Sequence, residues 1–141
     1  MEEGLLHADT TQKIIDAFYK VYNTLGHGFL EKVYENALAI VLRQLGCQVL
    51  QQKHIQVYFE ASLIGQYYAD LLVDDCVIVE LKAAETIADE HVAQLINYLK
   101  ASEIEVGLLL NFGAQPKFAR RVFTNQKKRL GSIREDPPHP R

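Results

Sequence analysis

Two charges interrupt an otherwise apolar, strand-like stretch: Glu80 and Lys82, in Val79-Glu80-Leu81-Lys82-Ala83. Residues two apart on a strand share a face, and charges in a central strand are costly unless paired or metal-bound. A second acid, Asp70, sits in the preceding apolar run Tyr68-Ala69-Asp70-Leu71-Leu72-Val73. A hairpin between the two runs gathers two carboxylates and a lysine. Two hard oxygen donors suit Mg²⁺. A neighbouring ammonium can orient an attacking water or stabilise charge developing on a phosphate. The competing reading is an ion pair of Lys82 with Glu80 or Asp70 and no metal, an arrangement that stabilises weakly.

The turn decides whether the acids meet. A two-residue turn at Asp74-Asp75 sets Asp70 opposite Val79 and directs it away from Glu80. Convergence requires a three-residue loop (Asp74, Asp75, Cys76) or a β-bulge, either of which shifts the register by one. Such an irregularity is predicted.

Further polar residues follow helical spacing. Gln94 and Tyr98 are four apart and share a helix face, with His91 one turn earlier. Glu31 and Tyr34 are three apart in Gly28-Phe29-Leu30-Glu31-Lys32-Val33-Tyr34. A carboxylate in a first helical turn, as Glu31 would be, is also favoured simply by the helix dipole. Tyr34 reads equally as a core aromatic. His91 reads as a surface or supporting histidine, and His27 as a loop residue. Cys47 and Cys76 have no metal-site spacing and no thiolate-activating neighbour, which fits two reduced thiols.

The elements that must position these residues can be read from periodicity. A helix is expected from Asp9 or Thr10 to about Leu25, with Ile14, Phe18, Val21, Tyr22 and Leu25 inward and Gly26 closing it. A second helix covers residues 30–45, with Val33, Ala37, Ile40 and Val41 as its apolar face and Gly46 ending it. Strand spacing follows at Ile55, Val57 and Phe59, then at residues 66–73 and 76–83. Val77-Ile78-Val79 is apolar on both sides, as in a central strand covered on both faces. Residues 85–101 are helical, with Ile87, Val92, Leu95, Ile96 and Leu99 inward. Residues 106–110 form another apolar strand, and 118–123 a basic edge strand or short helix. The first three strands make an antiparallel meander. The final strand–helix–strand unit wants a parallel pair with a right-handed crossover. The result is an α/β (α+β) mixed sheet with helices on its faces.

The chain has 141 residues and a formal net charge of −3. That length fits one domain, expected over residues 1–133 with a disordered Pro-rich tail at 134–141. The longest aliphatic run is far short of a membrane span, and the acidic start lacks the features of a signal peptide, so a cytoplasmic protein is expected. The charge is unevenly spread. Residues 1–111 carry 7 Lys+Arg against 16 Asp+Glu, and residues 112–141 carry 8 against 2. The basic end, with Lys117, Arg120, Arg121, Lys127 and Lys128, is a candidate nucleic-acid surface or simply a solvated terminus.

Taken together these residues resemble the PD-(D/E)XK nuclease superfamily and, more narrowly, its small GxxExxY proteins. Gly28, Glu31 and Tyr34 match the GxxExxY motif, Asp70 the first metal carboxylate, and Glu80-Leu81-Lys82 the (D/E)-x-K. Residues 94–98 match a Q-x-x-x-Y helix. Ala69 stands where the superfamily's name has proline. The resemblance covers residues 10–113 and implies a restriction-endonuclease-like αβββαβ core with an extra N-terminal helix. It implies Mg²⁺ or Mn²⁺ held by Asp70, Glu80, the Leu81 carbonyl and Glu31. It also implies that Lys82 activates water and that Gln94 and Tyr98 support the site. The expected activity is hydrolysis of DNA phosphodiesters. The alternative is a nucleic-acid-binding or protein-interaction module without turnover. A chain this small has little surface with which to grip a duplex, which makes a homodimer an expectation.

Overall fold

The computed structural model describes residues 6–129; the expected tail at 134–141 lies outside them. Helix α1 spans Ala8–Leu25 and buries Ile14, Ala17, Phe18 and Val21 at helical spacing. Helix α2 spans Glu31–Gln44. Strands β1 (Val49–Phe59), β2 (Ser62–Val73) and β3 (Val77–Lys82) form the meander. Helix α3 (Asp89–Lys100) crosses to β4 (Val106–Phe112), and β5 (Pro116–Val122) and the short α4 (Asn125–Arg129) follow. The five strands lie in sequence order, β1-β2-β3-β4-β5, with β3 and β4 parallel and the other pairs antiparallel. The expected mixed sheet is therefore present, and the basic segment after β4 is an edge strand.

The core has two layers. One packs α1 and α2 on Leu71, Val73, Val77, Val79, Leu81, Leu108 and Leu110. The other packs α3, through Leu95, Tyr98 and Leu99, on Ile55, Ala69, Leu72, Ile78 and Leu109. Helices on both faces explain why residues 77–79 of β3 and 108–110 of β4 are apolar without alternation.

Local expectations differ in several places. Helix α2 is rotated from the expected face: Tyr34, Leu38 and Leu42 are buried, Ala37 and Val41 are half-buried against the same core, and Val33 is 40% and Ile40 56% exposed. The series 34, 38, 42 is also helically spaced, and Tyr34 wins because its ring stacks on Phe112 with centroids 4.2 Å apart. Strand β1 begins at Val49, earlier than Ile55. Strand β2 begins at Ser62 because Glu60 and Ala61 make a two-residue turn with φ of 48° and 68°, a conformation usually signalled by Gly or Asn. Helix α3 begins at Asp89, after a loop over residues 83–88. The residue before α1 is His7, which makes no side-chain capping bond.

Candidate active site

The turn between β2 and β3 is the three-residue loop that convergence requires. Val73 pairs with Val77, Leu72 with Ile78 and Leu71 with Val79, so Asp70 lies opposite Glu80. The backbone ladder stops there and side chains replace it. The Asp70 N–H donates to Glu80 Oε2 at 2.7 Å, and the Leu81 N–H donates to Asp70 Oδ2 at 2.8 Å. Each acid thus satisfies an amide of the other strand and holds open the gap between them.

This gap is electrostatically tense. Burial and then the charge of Asp70 push the Glu80 carboxyl up to about 8, against the opposing pull of the Asp70 N–H and Lys82. Burial likewise raises Asp70, opposed by the Leu81 N–H and Gln52 and reinforced by Glu35 and Glu31. Glu31 therefore acts on both acids. It opens α2 and lines a cavity of about 720 Å³ with residues of the α1–α2 joint, Ala83, Glu85 and Gly113. Asp70, Glu80 and Lys82 are not in that wall, which ends at Ala83, the residue after Lys82. The perturbed acids, which mark a candidate site, lie at the strand gap and not in the cavity wall.

Gly28 and Tyr34 shape the joint that carries Glu31. Gly28, with φ of 114°, makes a bend that few side-chain-bearing residues adopt. The Tyr34 hydroxyl donates to the Gly26 carbonyl at 2.6 Å and accepts from the Phe29 N–H at 3.2 Å. Tyr34 is thus a buried fastener of the joint that places Glu31.

Lys82, half-buried, ends β3 on the same face as Glu80 and acts on Glu80 electrostatically. Lys82 makes no ion pair within 4.0 Å with Glu80 or Asp70, so the Lys82 ion pair weighed from the sequence is not formed. Behind Lys82, buried Asn111 accepts from the Ala84 N–H at 2.9 Å and donates to the Ala84 carbonyl at 3.0 Å. Gly113 lets the chain approach that same carbonyl, which a Cβ would strike. On α3, burial followed by Glu80 and Asp70 pushes Tyr98 up to about 12, against an opposing pull from the Gln94 side chain. The Gln94–Tyr98 face therefore lies beside the acid pair. His91 does not join it: its Nδ1 accepts from the Ala88 N–H at 3.1 Å at the start of α3.

Two groups escaped the sequence reading. Glu35 is 3% exposed and is held by Lys32, Gln51 and Gln52. Gln52 also donates to Asp70. The available signal was that Glu31 and Glu35 are four apart on one helix face, where like charges are unfavourable without partners.

The donor chemistry fits a hard divalent cation. Each carboxylate commits one oxygen to a backbone amide and has further lone pairs to offer, and their raised pKa values mark charge that a cation would relieve. Among the described residues no group of three or more His, Cys, Asp or Glu is closed into a metal cage. An open pair of carboxylates suits Mg²⁺, which keeps several waters and is commonly held by one or two carboxylates plus phosphate oxygens. Both cysteines are free, and burial raises both thiols, so neither is an activated thiolate.

The basic residues separate into two kinds. Lys117 and Arg121 are exposed on β5. Lys117 pairs with Asn111, which pairs with Lys82, so Lys117 lies on the face of Lys82, two strands away. Lys127 is exposed, its Nζ 5.5 Å from the Phe123 ring centre. Arg120 is half-buried and donates to the Leu6 carbonyl. Lys128 is a correction to the expected phosphate contacts. It is 3% exposed, donates to the Ser102 and Ile104 carbonyls at 2.9 and 2.6 Å, and is lowered to about 8 by burial.

The PD-(D/E)XK nuclease superfamily model matches residues 8–122, and the chain belongs to that superfamily. The fold is similar to the crystal structure of SSO0001, with a TM-score of 0.53 at 15% identity over 70% of this chain and 55% of that one. The chain thus spans about half the length of that protein, and the likeness is one of fold. No curated protein matches the chain. No helix among the described residues is long and apolar enough to cross a membrane.

Proposed function

We propose that the protein is a GxxExxY-type, Mg²⁺- or Mn²⁺-dependent nuclease that hydrolyses DNA phosphodiesters by attack of water. The observation that carries this reading is the strand gap, where Asp70 and Glu80 face each other with Lys82 on the same sheet face and Gln94–Tyr98 alongside. Asp70, Glu80 and the Leu81 carbonyl would hold the cation, with Glu31 added directly or through water. When bound, such a cation neutralises phosphate charge and eases ionisation of water. Lys82 Nζ orients the attacking water and offsets charge on the phosphate. Gln94 and the Tyr98 hydroxyl hold the lysine or the phosphate in register, and Lys117, Arg121 and Lys127 offer backbone contacts to DNA. Two free thiols are in keeping with a cytoplasmic enzyme, and a homodimer would widen its grip on a duplex.

Calorimetric titration of wild type and Asp70→Asn with Mn²⁺ tests the first step. Binding by the wild type and its loss in the variant are expected; equal heats in both would remove the metal site. Cleavage of single-stranded and duplex DNA, abolished by Lys82→Ala, tests the second. The alternative, a nucleic-acid-binding or protein-interaction module without turnover, draws on the exposed basic residues Lys117, Arg121 and Lys127. It predicts salt-sensitive DNA binding that survives Asp70→Asn, with no cleavage by the wild type.

A further inference from the structure

Gln52 has a backbone that its position in the sequence does not explain. It lies inside β1 with φ of 56°, a left-handed conformation uncommon for a residue with a side chain. Gln51 pairs with Leu71 and Lys53 with Ala69, but the intervening Gln52 and Asp70 are unpaired. The consequence is visible on both sides of this point. Val49 belongs to the α1–α2 layer and Ile55 to the α3 layer, although residues an even number apart on a regular strand share a face. In β2, Leu71 and Ala69 divide between the layers in the same way. The hairpin turns over at Gln52 and Asp70.

That turn aims the side chain. Gln51 and Gln52 are neighbours, yet both reach Glu35: Gln51 Nε2 donates to Oε2 at 2.8 Å and Gln52 Nε2 to Oε1 at 2.9 Å. The Gln52 amide also donates to Asp70 Oδ1 at 3.2 Å. An amide nitrogen has two hydrogens, so one side chain ties buried Glu35 on α2 to Asp70 on β2. Asp70 is thereby held at both oxygens, by Gln52 at Oδ1 and by the Leu81 N–H at Oδ2. The same tie fixes α2, whose first residue is Glu31, against β2. Strain kept at a strand interior and directed onto a site residue is the pattern expected of positioning rather than of fold maintenance.

We propose that Gln52 is a positioning residue, whose left-handed backbone lets its amide clamp Asp70 to Glu35 and so sets the orientation in which Asp70 faces Glu80. The consequence for metal affinity rests on the nuclease reading above; the orientation of Asp70 does not. The discriminating variant is Gln52→Gly, which removes the amide while accepting the positive φ without cost.

Three measurements on the whole chain decide it: thermal denaturation without metal, exchange and chemical shift of the Leu81 amide proton by NMR, and calorimetric Mn²⁺ affinity. Gln52→Gly is expected to keep the wild-type melting temperature or raise it. It is expected to shift and deprotect the Leu81 amide as Asp70 swings free, and to weaken Mn²⁺ by about tenfold or more, as loss of a supporting contact to a ligand commonly does. An unaltered Leu81 amide overturns the proposal. So does a large fall in melting temperature, which would make Gln52 a tie of the fold. If the wild type binds no Mn²⁺, the nuclease reading fails, and the Leu81 amide alone still decides the role of Gln52.

Discussion

Replacing Glu80 by Gln tests the electrostatics of the strand gap directly. In the folded chain the Glu80 carboxyl is raised from its ordinary value of 4.5 to about 8. The folded state therefore binds this proton more tightly than the unfolded state. The associated stability is complete below pH 4.5 and is lost as pH rises through about 8. At about 1.36 kcal/mol per pH unit the full span amounts to about 5 kcal/mol. Asp70 is raised too and shares the same charge, and water reaches an open gap, so about 2–3 kcal/mol is the realistic share. For a chain of 141 residues that is roughly 5–10 °C in melting temperature. Glu80→Gln keeps the shape and the acceptor for the Asp70 N–H but has no proton to lose and so gains no charge as pH rises. In chelator, wild type and variant should melt alike near pH 5, and the variant should melt higher by that margin at pH 8.5. Added Mg²⁺ should recover the wild type at pH 8.5 and leave the variant nearly unchanged, since a ligating carboxylate must be ionised. Parallel pH profiles for the two proteins in chelator would refute the coupling at Glu80.

Other substitutions separate structural from functional residues. Lys128→Met should leave DNA affinity at low salt unchanged because its ammonium is spent on two carbonyls, whereas Lys117→Ala should weaken binding and lower the salt slope by about 0.9, as filter binding across a salt series would show. Tyr34→Phe should cost about 1–3 kcal/mol in urea denaturation by leaving Gly26 and Phe29 without their hydroxyl partner. On α2, Leu38→Ala should cost about 2–5 kcal/mol and Ile40→Ala within about 0.5 kcal/mol; equal costs would contradict the observed helix face.

Much of the site was legible because its signals are local. Acids and a lysine stand out in apolar strands by residue type alone, and Gln94 with Tyr98 by helical spacing. The parity of strand side chains even required either a three-residue loop or a β-bulge, and the β2–β3 turn has the loop. The face of α2 was not legible, because two apolar series with the same spacing competed and only contact with Phe112 chose between them. Lys128 read as a surface cation, since no local signal says that a basic residue will meet two carbonyls 24 and 26 residues away. Glu35 and Gln52 read as ordinary polar residues.

The sequence by itself determined the order of elements, the mixed sheet covered on both faces and the identity of the acid pair and its lysine. These follow from periodicity and from the cost of charge in apolar strands, which are properties of short windows. Only the tertiary structure decided how Asp70 is held. The left-handed Gln52, the reversal of faces in the β1–β2 hairpin and the buried Glu35 beneath it depend on α2 packing against β1, a relation between segments that no local pattern encodes.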